Sequence, residues 1–277
     1  MSESPSLSDA ELMPNGKVIW QAGGGVALLT LTNPPANGYS LEMMQDIDAA
    51  ILKARFDNDI HVIVIAGEGE KFFCAGADIS MLDSVTPDFK YNFCLHANET
   101  MLRLEHTPKL TIAALGGHCV GGGLEVALSC DLRFARKGSG RCGLPEVKLG
   151  VLPGTGGTQR LARALGKSKA IELMVTGELI DYDRAEDLGL VNRQFEAEND
   201  AGFLAQVLEF AAGLCPPNHA SLSVGHIKRA VQSGTEIPLE AGLALERELQ
   251  AKLFLSDDAQ EGIRAFVEKR SPVFRGR

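Results

Sequence analysis

Residues Leu110 to Ala135 read LTIAALGGHCVGGGLEVALSCDLRFA. The first six, Leu110 to Leu115, form a short apolar run of the kind expected of a strand buried on both faces. Leu124 to Ser129 is expected to be helical, and between the two stands Gly121-Gly122-Gly123. Three glycines cost backbone entropy and contribute no side-chain packing. They serve where a backbone must bend sharply or approach a ligand closely. A loop that enters a helix presents unpaired N–H groups and a partial positive charge, and such groups can hold an anion or an oxygen that becomes one. A tight turn with no ligand is the plainer reading of the same three residues.

Working outward, Val26 to Leu31 (VALLTL) reads as a strand that Asn33-Pro34-Pro35 ends. Leu41 to Arg55 places Met44, Ile47, Ile51 and Leu52 at helical spacing, with Ser40 as N-cap. His61 to Ala66 (HVIVIA) is a β-branched run bounded by Gly67, hence a buried strand, and the following GEGEKFFCAGAD reads as a loop. A long helix is expected from about Asp88 to Glu105. Strands and helices alternate over roughly the first 190 residues, which argues an α/β core. From about Ala201 to Lys269 the pattern is helical, interrupted at Pro216-Pro217 and Pro238. The division expected is a flexible N-terminal arm over 1–16, a core over 17–200 and a helical region over 201–277. No period typical of solenoids or propellers is present.

The bulk numbers narrow the function classes. A chain of 277 residues can bury a sizeable core, and 45% hydrophobic with 23% charged residues is ordinary globular composition. A net charge of −9 disfavours a nucleic-acid surface. An anionic ligand would need local positive charge, for which Lys252, Lys269, Arg270, Arg275 and Arg277 are candidates. The cysteines (Cys74, Cys94, Cys119, Cys130, Cys142 and Cys215) form no C-x-x-C pair and no structural-zinc spacing, and no secretory signal opens the chain. They are expected to be reduced thiols in a cytoplasmic protein with no metal site. MSESPSLSDAELMPNG carries Glu3, Asp9 and Glu11 and no Lys or Arg, unlike a mitochondrial transit peptide. No apolar run reaches the roughly 18 residues of a membrane span.

Two local matches fail. Gly166-Lys167-Ser168 resembles the end of a phosphate-binding loop, but Leu161 stands where that motif needs its first glycine. Gly154 to Gln159 (GTGGTQ) begins like a dinucleotide fingerprint, yet Gln159 occupies the third glycine position and no clear strand precedes it. The carboxylates are more informative. Glu125 falls in the first turn of the helix after the glycines, followed by Val126, Ala127 and Leu128. Its bland role there is to complement the helix dipole. A carboxyl group among apolar neighbours, however, keeps its proton to higher pH and can exchange it near neutrality. Glu146 follows Pro145 in a loop between Leu144 and Val147; taken alone, it reads as a solvated loop residue. Two carboxylates beside an oxyanion-binding loop suit a reaction that moves protons next to a carbonyl. The residues alone name no substrate.

Longer strings add what local physics cannot. FCAGADI at Phe73 to Ile79, GGGLEVALSCDLRFA at Gly121 to Ala135, GLPEVKLGVLPGTGGTQRLARALG at Gly143 to Gly166 and the ending DDAQEGIRAFVEKRSPVFRGR together resemble the enoyl-CoA hydratase/isomerase (crotonase) family, over about Ile19 to Arg277. The resemblance implies a crotonase-like spiral of ββα units with a C-terminal helical region that mediates trimerisation, assembled as a homotrimer or a hexamer. It implies hydration of a 2-enoyl-CoA to a 3-hydroxyacyl-CoA by syn addition, in fatty-acid or related acyl-CoA degradation. Glu125 would be the base that takes the water's proton, and Glu146 the acid that protonates C2. The backbone N–H groups of Ala77 and Gly122 would form the oxyanion hole, and Ala75, Asp78, Ile79 and Ser80 would line the CoA site. Coenzyme A would enter as part of the substrate, with no metal or redox cofactor.

The nearest rival within the family is a 3,2-enoyl-CoA isomerase, many of which keep one carboxylate nearer the Glu146 position; branched, aromatic or cyclic enoyl-CoA substrates are also open. Asn37-Gly38-Tyr39 stands where relatives often have Asn-Ala-Leu, so Tyr39 either alters the pantetheine channel or simply packs. Met81, Leu82, Phe89 and Leu95 are candidates for the acyl pocket. His118 is more readily a packed loop histidine than a substrate contact.

Overall fold

The buried strands, read as apolar on both faces, stand side by side in a larger sheet. The computed structural model describes residues 5–277. Among the described residues that sheet runs in the order β1 (Glu11–Leu12), β2 (Val18–Gly23), β3 (Val26–Leu31), β4 (Val62–Gly67), β6 (Leu110–Leu115), β8 (Leu132–Arg136) and β11 (Arg193–Phe195). A smaller sheet runs β10 (Ile180–Asp181), β9 (Arg141–Gly143), β7 (His118–Val120) and β5 (Phe72–Cys74). The connecting helices are α1 (Leu41–Phe56), α2 (Ile79–Ser84), α3 (Pro87–Glu105), α4 (Gly122–Leu128), α5 (Gly157–Leu165), α6 (Lys167–Thr176) and α7 (Tyr182–Asp187). The C-terminal part is helical: α8 (Asp200–Gly213), α9 (Ser221–Gly234), α10 (Leu239–Phe254) and α11 (Asp257–Glu268).

The continuous apolar runs follow from cover on both sides. Side chains alternate across a strand, so Leu29, Leu31, Ile63, Ile65, Ala113 and Leu115 join the core cluster that holds Met43, Met44 and Ile47 of α1 and Met101 of α3. Val26, Leu28, Val62, Val64, Ile112 and Ala114 face the other way, into a cluster with Phe203, Val207, Leu208 and Ala211 of α8. β3, β4 and β6 are paired in parallel and in step, Val26 opposite Val62 and Val62 opposite Leu110.

Local chemistry sets the helix starts. The Ser40 side chain accepts from Met43 N, and Thr86 from Phe89 N with Pro87 in the first turn. The C-terminal helices are tied to the core by a buried ion pair: Lys228 Nζ lies 2.8 Å from Asp131 Oδ2 and donates to the Lys109 carbonyl at 3.0 Å. Asp131 in turn accepts from Thr111 N and Oγ1 at the start of β6.

Two segments differ from the sequence expectation. The stretch read as a loop, GEGEKFFCAGAD, contains β5. Its three strand residues gain partners only because β7 lies parallel beside them, a non-local pairing with no signature in the stretch itself. Within residues 1–16, Glu11–Leu12 pair antiparallel with Ile19–Trp20, and Met13 is buried. Residues 1–4 lie outside the described part.

Candidate active site

Three of the quoted motifs leave the same edge of the small sheet. β5, β7 and β9 are parallel neighbours, with Cys74 opposite Cys119 and Cys119 opposite Cys142. Ala75-Gly76-Ala77 follows the end of β5, Gly121-Gly122-Gly123 the end of β7, and Leu144-Pro145-Glu146 the end of β9. Ligands in open parallel sheets gather at such carboxyl ends. Here the three exits line one cavity of about 660 Å³, whose wall includes Ala75, Ala77, Gly122, Glu125 and Glu146.

Close packing explains the glycines. Gly121 has φ +57°, a conformation natural only to glycine, and its N–H donates to the Gly143 carbonyl at 2.9 Å, holding the β7 and β9 exits together. A Cβ on Gly121 would come within 2.9 Å of Glu146 Oε1, so the bare Cα is what lets that carboxyl approach. A Cβ on Gly122 would lie 1.7 Å from Cε1 of Tyr39, and one on Gly123 only 2.2 Å from the Cys74 carbonyl oxygen. The Ala77 segment is clamped from the other side: Tyr39 N–H donates to the Gly76 carbonyl at 2.9 Å, and Asp78 N–H donates to the Tyr39 carbonyl at 3.2 Å. A Cβ on Gly76 would fall 3.0 Å from the Gly122 nitrogen, so the β5 and β7 exits nearly touch. Among the described residues neither Ala77 N–H nor Gly122 N–H has an acceptor in the chain.

The two carboxyl groups sit in contrasting surroundings. Glu125 is buried, but apolar neighbours are not what its carboxylate meets. Oε1 accepts from Thr155 N at 2.8 Å and from Gly157 N at 2.7 Å, and Oε2 accepts a short bond from the Thr155 hydroxyl. These donors belong to GTGGTQ at the N-terminus of α5. The segment rejected as a dinucleotide loop does hold an anion, and the anion is the protein's own side chain. Glu146 opens a short 3-10 turn, Glu146–Leu149, rather than lying in an extended loop. Its Oε2 is buried with no hydrogen-bond partner among the described residues. Burial pushes its pKa up to about 7, with the Glu125 charge adding to the rise and Lys90 opposing it.

The other expected residues divide. Ala75 and Ala77 line the cavity, while Asp78 lies one residue beyond that wall. Ile79 and Ser80 open α2, and their side chains, like that of Leu82, lie outside the described part. The acyl-pocket candidates are displaced. Phe89 and Leu95 are exposed and Met81 packs on the core, whereas Asp83, Val85, Thr86, Pro87, Lys90 and the Leu149–Leu152 loop supply the wall. The cause is helical phase: α3 turns Lys90 inward and Phe89 outward, and the apolar count of the segment does not reveal the phase. The positive charges at the cavity are Lys90 and Lys148. Of the tail cations, Arg270 is engaged by Glu261 and Glu268, and Arg277 by Asp257. His118 lies away from the cavity wall, its Nδ1 accepting from Arg141 N at 3.1 Å. All six cysteines are free thiols. Among the described residues, no group of three His, Cys, Asp or Glu side chains is placed to hold a metal ion, and no helix is long and apolar enough to cross a membrane.

Comparison with known proteins agrees with this geometry. The chain matches the enoyl-CoA hydratase/isomerase family over residues 21–277. It is 35% identical to the short-chain-enoyl-CoA hydratase of Clostridium acetobutylicum, covering 93% of this chain and 97% of that one. It is 37% identical to the 2,3-dehydroadipyl-CoA hydratase of Escherichia coli, covering 91% and 96%. The crystal structure of an enoyl-CoA hydratase from Geobacillus kaustophilus superposes with a TM-score of 0.91 at 44% identity, over 99% of this chain and all of that one. With matches that span the whole core and both carboxylates, the chain belongs to the enoyl-CoA hydratase/isomerase family and has its crotonase fold.

Proposed function

We propose that the protein is an enoyl-CoA hydratase that adds water across the double bond of a 2-enoyl-CoA. One observation carries the reading: two carboxyl groups in unlike surroundings face one cavity beside two unpaired backbone N–H groups. The thioester oxygen accepts hydrogen bonds from Ala77 N–H and Gly122 N–H, which stabilise the negative charge it gains as C3 is attacked. Glu125, ringed by three donors, serves as the ionised base and takes a proton from the attacking water while the water oxygen bonds to C3. The π electrons move to C2, which receives a proton from Glu146. A carboxyl group that titrates near neutrality retains that proton at working pH. A proton passing from Glu125 back to Glu146 through solvent restores the starting state. Written this way, the reaction uses no metal or redox group.

The names of the relatives point the same way, and two carboxylates favour hydration over the isomerase alternative, which needs one. The test is the absorbance of the enoyl-thioester band with crotonyl-CoA, then with longer, branched and ω-carboxylated 2-enoyl-CoAs. The band is expected to decay with at least one of them, and Glu125→Gln or Glu146→Gln is expected to slow the decay by about 10²-fold or more. Near wild-type turnover in either variant would sink the two-carboxylate mechanism. An unchanged band across the panel, together with its appearance from 3-enoyl-CoAs, would establish the isomerase instead.

A further inference from the structure

Among the described residues, Tyr39 is the aromatic side chain that lines the cavity. Its ring rests on Gly122, and it stacks on Phe93 with centroids 5.6 Å apart and planes at 22°. Its hydroxyl lies 3.1 Å from Thr155 Oγ1, and both residues are buried. The direction of the hydrogen bonds can be deduced by counting protons. The Thr155 hydroxyl has one proton, and its oxygen sits at short range from Glu125 Oε2, an acceptor when ionised. That proton therefore points to Glu125. The remaining bond to Thr155 must be donated by the phenol. Burial, with the charge of Glu125 next in weight, holds the Tyr39 pKa well above its ordinary value, so the phenol keeps the proton this requires.

We propose that Tyr39 and Thr155 are positioning residues for Glu125: a donor chain from the Tyr39 hydroxyl through the Thr155 hydroxyl to Glu125 Oε2 fixes the rotamer of the carboxylate and favours its ionised form. The proposal rests on Glu125 being the base in the reaction assigned above. Chained donors polarise one another, so the outer hydroxyl strengthens the inner bond without touching the carboxylate. The Phe93 stack and the lack of space over Gly122 prevent the phenol from swinging away. Thr155 N and Gly157 N hold only Oε1. Without the chain, Oε2 would lose the one donor that opposes rotation and protonation.

The experiment uses Tyr39→Phe, which keeps the ring and its packing, with Thr155→Val and Thr155→Ser. Titration of the Glu125 carboxyl is followed by carbon-13 NMR in the full-length protein, which needs no turnover. Tyr39→Phe is expected to move the midpoint to higher pH, Thr155→Val to move it further, and Thr155→Ser to restore the wild-type value. On any 2-enoyl-CoA that the wild type hydrates, kcat of Tyr39→Phe should fall about tenfold, the worth of one net hydrogen bond, with KM within about twofold, and the acidic limb of the rate profile should follow the titration. A Tyr39→Phe midpoint equal to the wild-type value would overturn the proposal. An inactive wild type with shifted midpoints would instead overturn the hydratase reading and leave the donor chain standing.

Discussion

Glu146 is the residue whose charge the fold opposes most plainly. Its carboxyl is half-buried in the cavity it shares with Glu125, with one oxygen buried and unpartnered among the described residues, and burial pushes its pKa up to about 7 where an ordinary glutamate would titrate at 4.5. In that interval the folded chain binds a proton that the unfolded chain has released. The contribution of this one group to stability is therefore most favourable below 4.5, falls as pH rises towards 7, and is flat above. At roughly 1.4 kcal/mol for each tenfold change in proton affinity, and reduced because the group is only partly buried, the ionised form costs about 2 kcal/mol. Glu146→Gln removes that cost. It should raise stability in denaturant unfolding by about 2 kcal/mol near pH 8 and by little near pH 4, while slowing turnover by about 10²-fold or more. An equal effect at both pH values would show that the carboxyl is not strained by its charge. Lys90 tests the same field from outside: because it lowers the Glu146 pKa, Lys90→Met should move the alkaline limb of the rate profile upward.

The elements meet at glycines because backbone, not side chain, is what the small sheet presses together. Gly123 in α4 lies against the carbonyl of Cys74 in β5, and α4 cannot retreat, since Gly121 N–H is bonded to Gly143. Gly123→Ala should therefore destabilise by about 3 kcal/mol in a denaturant melt, the upper range for overpacking. At Gly213, near the end of α8, an added Cβ meets nothing within 4 Å, and Gly213→Ala should be neutral or stabilising by roughly 0.5 kcal/mol. If the two variants melted alike, the close approach of α4 and β5 would be wrong. The same contrast explains what could be read in advance. The bounds of β3 and β6, and the start of α1 with its Ser40 cap, are legible to the residue because apolar runs and capping are local. β5 is not, since its partner β7 is distant in sequence. The glycine loop, Glu125 and Glu146 are conspicuous in the sequence, and the structure places them on one cavity. The use of Gly154 to Gln159 is not conspicuous, since its ligand is a side chain some 30 residues earlier. Tyr39 is legible in the sequence only as a departure from its relatives, its Thr155 partner being 116 residues away.

At the scale of the whole molecule the C-terminal helices leave much apolar surface uncovered. In α10 only Leu249 is buried, and in α11 only Asp258 and Ala265. The tail returns to the core through Asp258, whose carboxylate accepts from Arg275 N and Gly276 N, so the end of the chain is fastened while the outer helix faces stay open. Leu239, Leu255, Phe266 and Val267 are each at least 75% exposed in the single chain. Large apolar residues left exposed along two successive helices are what an interaction surface presents. Further copies of the chain are the occupant we propose for these faces. A closed ring of identical copies would cover these faces without leaving an open edge. Light scattering at micromolar concentration should give a multiple of the 29.6 kDa chain mass, three- or sixfold. Phe266→Glu with Leu255→Glu should lower that mass while leaving the Lys228–Asp131 tie and the cavity around Glu125 and Glu146 in place. A wild-type particle of 29.6 kDa would contradict the assembly. The cavity could then be complete within one copy, and the exposed helices would need a different partner.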